Sequence, residues 1–395
     1  VNRERCFDVA VIGAGMMGSA AARHLAEAGL KVVLIGPAEP ADKTSHDGVF
    51  ASHYDAARIT RKLDQNHDWS KLSMRSIDRY RQIEARGKQT FFHETGAMMA
   101  GPEFGDGAFF IRSLRKVAKD HGIDHEELNN ARLAERFPFF RFPDGILALY
   151  EPGQAGWINP RDHIQAQINA GVAAGLIVHR AEAVGVVEGQ NEAIVTCRDD
   201  VPFHAAKVVV ACGAFSSSQA LLADPPTLKV YARTVTFFRI DEMEAERLAT
   251  MPSLILRHPD FPSAPYVLPP VRYPDGKTYV KIGGDPHDIE LSSDAQIKDW
   301  FKGNGEERAG QFIAEQLIKL MPDLRYETIS RGSCVTSFTR SAMPVIQHLS
   351  QHRYVLTGGN GAGAKCADEL GRLCARMLLH GDLSDEGYET DFGLD

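Results

Sequence analysis

The stretch DVAVIGAGMMGSAAARHLAEAGLKVVLIG, residues 8–36, decides the fold. Asp8 to Ile12 is a short apolar run, Met17 to Ala28 is amphipathic, and a second apolar run, Val32 to Ile35, follows Gly29. Ala21, Leu25 and Ala28 recur at helical spacing, with Gly29 where a left-handed cap belongs. The pattern predicts strand, turn, helix, turn, strand, with the strands parallel because a crossover joins them. Gly13-Ala14-Gly15-Met16-Met17-Gly18 is a G-x-G-x-x-G between strand and helix. There the glycines serve a tight turn, backbone approach to a pyrophosphate and close helix packing, while the helix N-terminus offers N–H groups to phosphate. A bound nucleotide is the expectation. The acidic residue that commonly binds a ribose at the end of the second strand is missing, because Gly36 holds that place. Glu39, a basic residue such as Lys43, or the backbone alone is left to serve.

Further along, Asp162 to Ala174 has helical periodicity, and strand-like runs follow at Leu176 to Val187, Ala193 to Cys197 and Lys207 to Cys212. Between Val230 and Gly284 the pattern alternates, as in Thr234 to Ile240 and Thr278 to Ile282, with a helix-like insert from Glu242 to Thr250. That reads as a mainly antiparallel sheet, hence a second domain. From Tyr354 an apolar run, a glycine cluster and a helix from Ala364 to Leu379 restore the grammar of the opening. The fold class is therefore α/β plus β, a Rossmann-like domain interrupted by a second one.

Composition narrows the function. Lys and Arg number 44 against 52 Asp and Glu, a net charge of −8, which argues against a nucleic-acid partner. No apolar run reaches the length of a membrane span, so no membrane role is expected. Val1 to Asp8 carries Arg3, Glu4 and Arg5 and has no leader-like apolar region. Six cysteines without a C-x-x-C pair fit reduced thiols in the cytoplasm better than disulfides or zinc, and no metal site is expected.

More blocks recur in order. They are Ser52-His53-Tyr54-Asp55-Ala56-Ala57-Arg58-Ile59-Thr60-Arg61, Glu94-Thr95-Gly96, Tyr150-Glu151-Pro152 with Gly156-Trp157, and Val208 to Ala214. Lys281-Ile282-Gly283, Cys334 with Thr339, and Gly358 to Lys365 complete the set. Together with the fingerprint they span nearly the whole chain, and the sequence resembles the flavoprotein family of monomeric sarcosine oxidase and N-methyltryptophan oxidase, among the D-amino-acid-oxidase-like enzymes. The first of these blocks has one extra residue before Arg58 compared with the family's pattern. The resemblance implies an FAD-binding domain from residues 1–90, 150–225 and 325–395, and a substrate domain from 91–149 and 226–324. It also implies a monomer that oxidises the C–N bond of a secondary amine or N-substituted amino acid, with hydride passing to flavin N5. The imine would then be cleaved by water, and O2 would be reduced to H2O2.

By the same resemblance FAD is held by Gly13, Gly15, Met16, Met17 and Gly18, by Ser52, His53 and Arg58, and by Cys212 and Gly213. Gly359, Asn360, Gly361, Gly363 and Lys365 close the list, with Glu39 the candidate for the ribose and Cys334 the candidate for a covalent thioether. Arg61 and Lys365 match the family's carboxylate ligands, and Lys281 its oxygen-activating lysine. On a helix Arg58 and Arg61 would share a face, and a guanidinium grips a carboxylate bidentately. A solvated basic face beside Lys62, a packing cysteine and a water-facing lysine are the plain alternatives. His53 and His287 are polar candidates without metal-ligand spacing. Arg340, beside Thr339, adds one more cation, which suggests a dicarboxylate such as iminodiacetate, unless Asp55 or Asp285 pairs with it. A dehydrogenase using a quinone or carrier, an enzyme modifying an aminomethylated RNA base, and a non-catalytic nucleotide-binding module remain alternative functions.

Overall fold

Cys6–Ile12 lies inside an eight-stranded sheet, parallel to Val32–Ile35 on one side and to Pro202–Val210 on the other. Ile177–His179 and Arg353–Thr357 extend it, also in parallel. Val9, Val11, Val32, Val33, Leu34, Val208 and Val209 are all fully buried. Both faces are covered, which is why these strands read as continuous apolar runs and not as alternation. Met16–Glu27, Pro160–Ala173 and Gly363–His380 pack on one face, around Leu25, Ile168 and Leu370. The antiparallel strands Ala183–Glu188 and Ala193–Cys197 bring Val186 and Val195 to the other. The computed structural model describes residues 6–218 and 220–394, so residues 1–5 of the Val1–Asp8 segment lie outside the described residues.

A nine-stranded sheet forms the second layer, antiparallel except where Ala97–Pro102 meets Ser253–Leu256. Its longest pair joins Lys229–Ile240 to Thr328–Phe338. The strands Ile146–Glu151 and Thr328–Phe338 belong to this sheet, although the resemblance assigns residues 150 and 151 and the segment from 325 to the FAD-binding domain. A three-stranded sheet sets Arg58–Thr60 and Phe92–His93 against Gly156–Ile158.

Three element readings change. Leu176 to Val187 is two strands, because Ile177–His179 joins one edge of the eight-stranded sheet and Ala183–Glu188 the opposite edge. The insert after Ile240 is the shorter helix Glu242–Arg247, started by the Asp241 side chain accepting from Glu244 N–H. Arg58 stands on a strand, so Arg58 and Arg61 share no helical face.

Charge fastens the helical layer. Asp368, fully buried on Gly363–His380, accepts from Arg23 at 2.7 Å, Arg79 at 2.6 Å and Gln167 at 3.0 Å, so one carboxylate ties four helices together. Burial opposes its charge, but His24, Arg23 and Arg79 overcome that and hold its carboxyl well below the usual carboxylate range. Removing one member of such a cluster leaves the others buried and unpaired. Asp368→Ala should therefore cost about 3–5 kcal/mol in urea unfolding at pH 7. A carboxyl depressed on folding contributes stability above its unfolded pKa of about 3.9 and loses it as pH falls. The wild-type advantage should stay flat between about pH 6 and 8 and shrink only below about pH 4.

Candidate active site

The fingerprint glycines divide by what their missing side chains spare. Gly13 has φ +109°, and a Cβ there would stand 2.3 Å from the Ala211 carbonyl oxygen. At Gly18 it would stand 1.9 Å from the Gly13 carbonyl oxygen. The protein's own packing demands both. Gly15 differs, since the nearest atom to its Cβ would be His53 Nδ1 at 3.7 Å. That free space opens into a cavity of about 800 Å³ lined by Gly13, Gly15, Met16, Met17, Ser52 and His53, and further round by Cys212, Gly213, Cys334 and Gly358 to Lys365. A backbone kept bare beside a helix N-terminus, on a long cavity, fits a dinucleotide phosphate. The second helix N-terminus, at Gly363, touches the first, since a Cβ on Gly363 would lie 2.7 Å from Met17 Cε. Asn360, at φ +47°, accepts Thr339 N–H at 3.0 Å and donates its own N–H to Ser337 O, so the glycine cluster is tied to the Thr328–Phe338 strand.

The missing ribose acid has a steric reason. A Cβ at Gly36 would fall 2.6 Å from Ala14 N, so a side chain there would push on the fingerprint turn. Neither substitute serves. Glu39 does not line the cavity and is held bidentately by Arg161 at 2.6 and 2.7 Å, while Lys43 donates to Gly303 O and Asn304 Oδ1. The expectation of a ribose contact from Glu39 is corrected accordingly.

Arg58 and Arg61 both line the cavity but serve different neighbours. Arg58 donates to Ser52 O at 2.9 Å and Cys334 Sγ at 3.4 Å and pairs with Asp55. Arg61 donates to Met99 Sδ at 3.1 Å and to Asp64 Oδ2 at 3.3 Å. Lys365, fully buried, reaches the same Asp64 oxygen at 3.2 Å and Trp69 O at 3.2 Å. Burial pushes the Asp64 carboxyl up, but Lys365 and Arg61 outweigh it, so its pKa falls below the ordinary value and it is ionised at neutral pH.

Two expected site cations stand elsewhere. Lys281 is 1% exposed and does not line the cavity; its ammonium bonds Asp55 at 2.7 Å and the Ala57 carbonyl. Asp55, which accepts from Tyr273 Oη as well, draws that ammonium beneath Arg58. Burial, and then Arg58, push the Lys281 pKa down. Arg340 is exposed and outside the cavity lining, because the chain turns away after Thr339, whose hydroxyl is bonded to Met343 O. Neither Asp55 nor Asp285 pairs with it: Asp285 instead accepts Thr234 N–H at 2.9 Å.

Asp64 and Asp285 are cavity residues that sequence reasoning missed as site groups. Asp64 stands three residues after Arg61, a spacing that could have signalled a pair; nothing comparable marks Asp285, whose pKa burial raises to about 6. His53 lines the cavity with its pKa lowered by burial to about 3, so it is neutral, whereas His287 lies outside and pairs with Glu306 at 3.2 Å. Among the described residues, His179, Cys197 and Asp199 are the only group with metal-capable atoms within 4.8 Å of one another, and they lie away from the cavity.

The model of the FAD dependent oxidoreductase family matches residues 8–377. The chain belongs to that family. FAD is its cofactor, and it is an oxidoreductase of the amine- and amino-acid-oxidising kind, acting on CH–NH bonds. It is 25% identical to monomeric sarcosine oxidase of Bacillus sp. (strain NS-129) over 384 residues, 95% of this chain and 93% of that one. It is 28% identical to N-methyl-L-tryptophan oxidase of Yersinia pestis (strain Pestoides F) over 208 residues, 52% of this chain and 53% of that one. The fold is shared with NikD, an amino acid oxidase of nikkomycin biosynthesis, at TM-score 0.77, 19% identity and coverage of 99% and 98% of the two chains. It is also shared with glycine oxidase from Geobacillus kaustophilus, at TM-score 0.75, 15% identity and 99% of both chains. Among the described residues no helix is long and apolar enough to cross a membrane.

Because a Gly15 side chain meets open space in the protein but blocks the phosphate approach, Gly15→Val should fold and lose its cofactor. We expect a far-ultraviolet circular dichroism spectrum like that of the apoprotein and at least a tenfold loss of 450 nm absorbance after gel filtration. A yellow Gly15→Val protein would remove the cradle assignment.

Proposed function

We propose that the protein is an FAD-dependent oxidase of N-substituted amino acids or related secondary amines, using O2 as acceptor. The observation that carries this reading is a single cavity that holds both the bare Gly15 cradle and a set of cations, Arg58, Arg61 and Lys365, suited to a carboxylate. Bound FAD would supply the redox chemistry, acceptance of a hydride equivalent from the carbon beside nitrogen and reoxidation by O2. The chain's own part is binding, orientation and charge. Arg61 offers a guanidinium to the substrate carboxylate, and the N-terminus of Gly363–His380 stabilises negative charge in the cavity. Neutral His53 and the glycine cluster of 358–363 hold the cofactor. Cys334, which lines the cavity and accepts a hydrogen bond from Arg58, is the candidate for a thioether bond to the flavin. A sarcosine-like monocarboxylate suits the site better than iminodiacetate, whose motivation was Arg340. The eight-stranded sheet with its helices would then carry the cofactor-holding part and the nine-stranded sheet the substrate-holding part.

Anaerobic mixing of the holoenzyme with a panel of sarcosine, N-methylated amino acids, iminodiacetate and carboxylate-free secondary amines should bleach the flavin with at least one N-substituted amino acid. Bleaching by none of them would remove this reading. Acid precipitation of the same protein should carry the yellow colour into the pellet, and Cys334→Ser should leave it in the supernatant; colour in the wild-type supernatant would make Cys334 a packing residue.

Lys281 acts here through Asp55 and Arg58, as buried positive charge behind the cavity wall. Lys281→Met should slow reoxidation by O2 at least tenfold in stopped flow while reduction by substrate changes little. Equal slowing of both half-reactions would leave Lys281 a structural role only.

A further inference from the structure

The pair expected to grip the substrate, Arg61 with Lys365, is already closed on a resident carboxylate. Asp64 Oδ2 lies 3.3 Å from Arg61 Nη2 and 3.2 Å from Lys365 Nζ. Lys365 is fully buried and adds a bond to Trp69 O, so two of its three N–H donors are taken up by the protein. Arg61 is committed only in part. Its Nε rests on Met99 Sδ and its Nη2 on Asp64, while Nη1 makes no hydrogen bond among the described residues.

A second guanidinium enters from the neighbouring strand. Met99 pairs with Ile255 across the parallel strands Ala97–Pro102 and Ser253–Leu256, and Arg257 N–H continues that ladder to Ala100 O at 2.9 Å. Residues two apart along an extended chain share a side, so Arg257 follows Ile255 toward the cavity that Met99 and Arg61 line. Arg257 makes no ion pair among the described residues, and its side chain has one long hydrogen bond, to Ala264 O at 3.4 Å. Arg257 is exposed at the cavity rim, where the atoms packed round it and then the charge of Arg61 disfavour its own charge. Three cations, Arg61, Arg257 and Lys365, thus face one anion, Asp64. Like charges gathered on one stretch of cavity wall repel one another until an anion joins them.

We propose that the substrate carboxylate is held between Arg61 and Arg257, and that Asp64 is the fixed counter-ion of Lys365. Arg257 is then a carboxylate ligand of this enzyme, and Lys365 a positioning residue that holds Asp64. Two planar guanidinium groups can each offer a pair of N–H donors to the two carboxylate oxygens, which an ammonium cannot. The assignment deepens the amine-oxidase reading and rests on it.

Methoxyacetate is the probe, since it carries the carboxylate of an N-methyl amino acid and no nitrogen to oxidise. Titrated into the holoenzyme, it should perturb the flavin spectrum and raise the melting temperature, as a ligand of the folded state does. Arg257→Gln should raise its Kd by about 10–100-fold with flavin content unchanged, and Arg257→Lys should recover only part of the loss. Asp64→Asn, which removes the competing anion, should lower the Kd severalfold. A Kd in Arg257→Gln equal to that of the wild type overturns the proposal. Should Arg257→Gln fail to retain flavin, Arg257→Lys decides, and a Kd there equal to that of the wild type overturns it too. A wild type bleached by N-substituted amino acids, with Arg257→Gln binding the probe normally, sinks only the Arg61–Arg257 site. A wild type that neither bleaches with any amine nor binds methoxyacetate sinks the amine-oxidase reading and this site with it.

Discussion

Everything in the cofactor half depends on how closely one helix may approach one strand. Met16–Glu27 lies where it does because Gly18 presents only hydrogen to the Gly13 carbonyl, and Gly13 only hydrogen to Ala211. A methyl group at either place would force the helix away from the sheet. The cavity mouth at Gly15, the contact of Met17 with Gly363 and the meeting of two helix N-termini would then open together. The ionic cluster at Asp368 has the complementary effect, since it pins the same helix from behind through Arg23. Position is therefore set by contact on one side and by charge on the other.

The opening strand–helix–strand unit was legible because its signals are local. Valine runs, a glycine hexamer and a glycine cap each act within a few residues, and the observed elements Cys6–Ile12, Met16–Glu27 and Val32–Ile35 follow them closely. The long helix His67–Gly87 had a local signal as well, Asn66 capping Trp69 N–H, and went unread. What could not be read is which edge of a sheet a strand joins. Nothing in residues 176–187 says that the chain crosses from one edge of the eight-stranded sheet to the other within a few residues, because that depends on partners far away in sequence.

The site shows the same division. The glycines, His53, Cys212 and Cys334 were legible by type and order, and the structure gathers them on one cavity. Side-chain direction was not. Lys281, Arg340 and Glu39 carry the right charge in the right blocks, yet each turns toward a different neighbour: Asp55, the exterior and Arg161. The extra residue in the 52–61 block lies between Asp55 and Arg58. Asp55 receives Lys281, Arg58 and Tyr273, so the local departure from the family's pattern sits at a junction of buried charge.

The parallel sheet imposes an order on folding. Cys6–Ile12 finds Pro202–Val210 only after some two hundred residues have been made, and Arg353–Thr357 seals the same strand much later. Loop closure over such separations is slow, and transiently bare strand edges are prone to pair with the wrong chain. The glycine cluster after Thr357 forms one wall of the cofactor cavity, so that cavity does not exist on a nascent chain lacking it. FAD can then act only as a late clamp on a nearly finished fold.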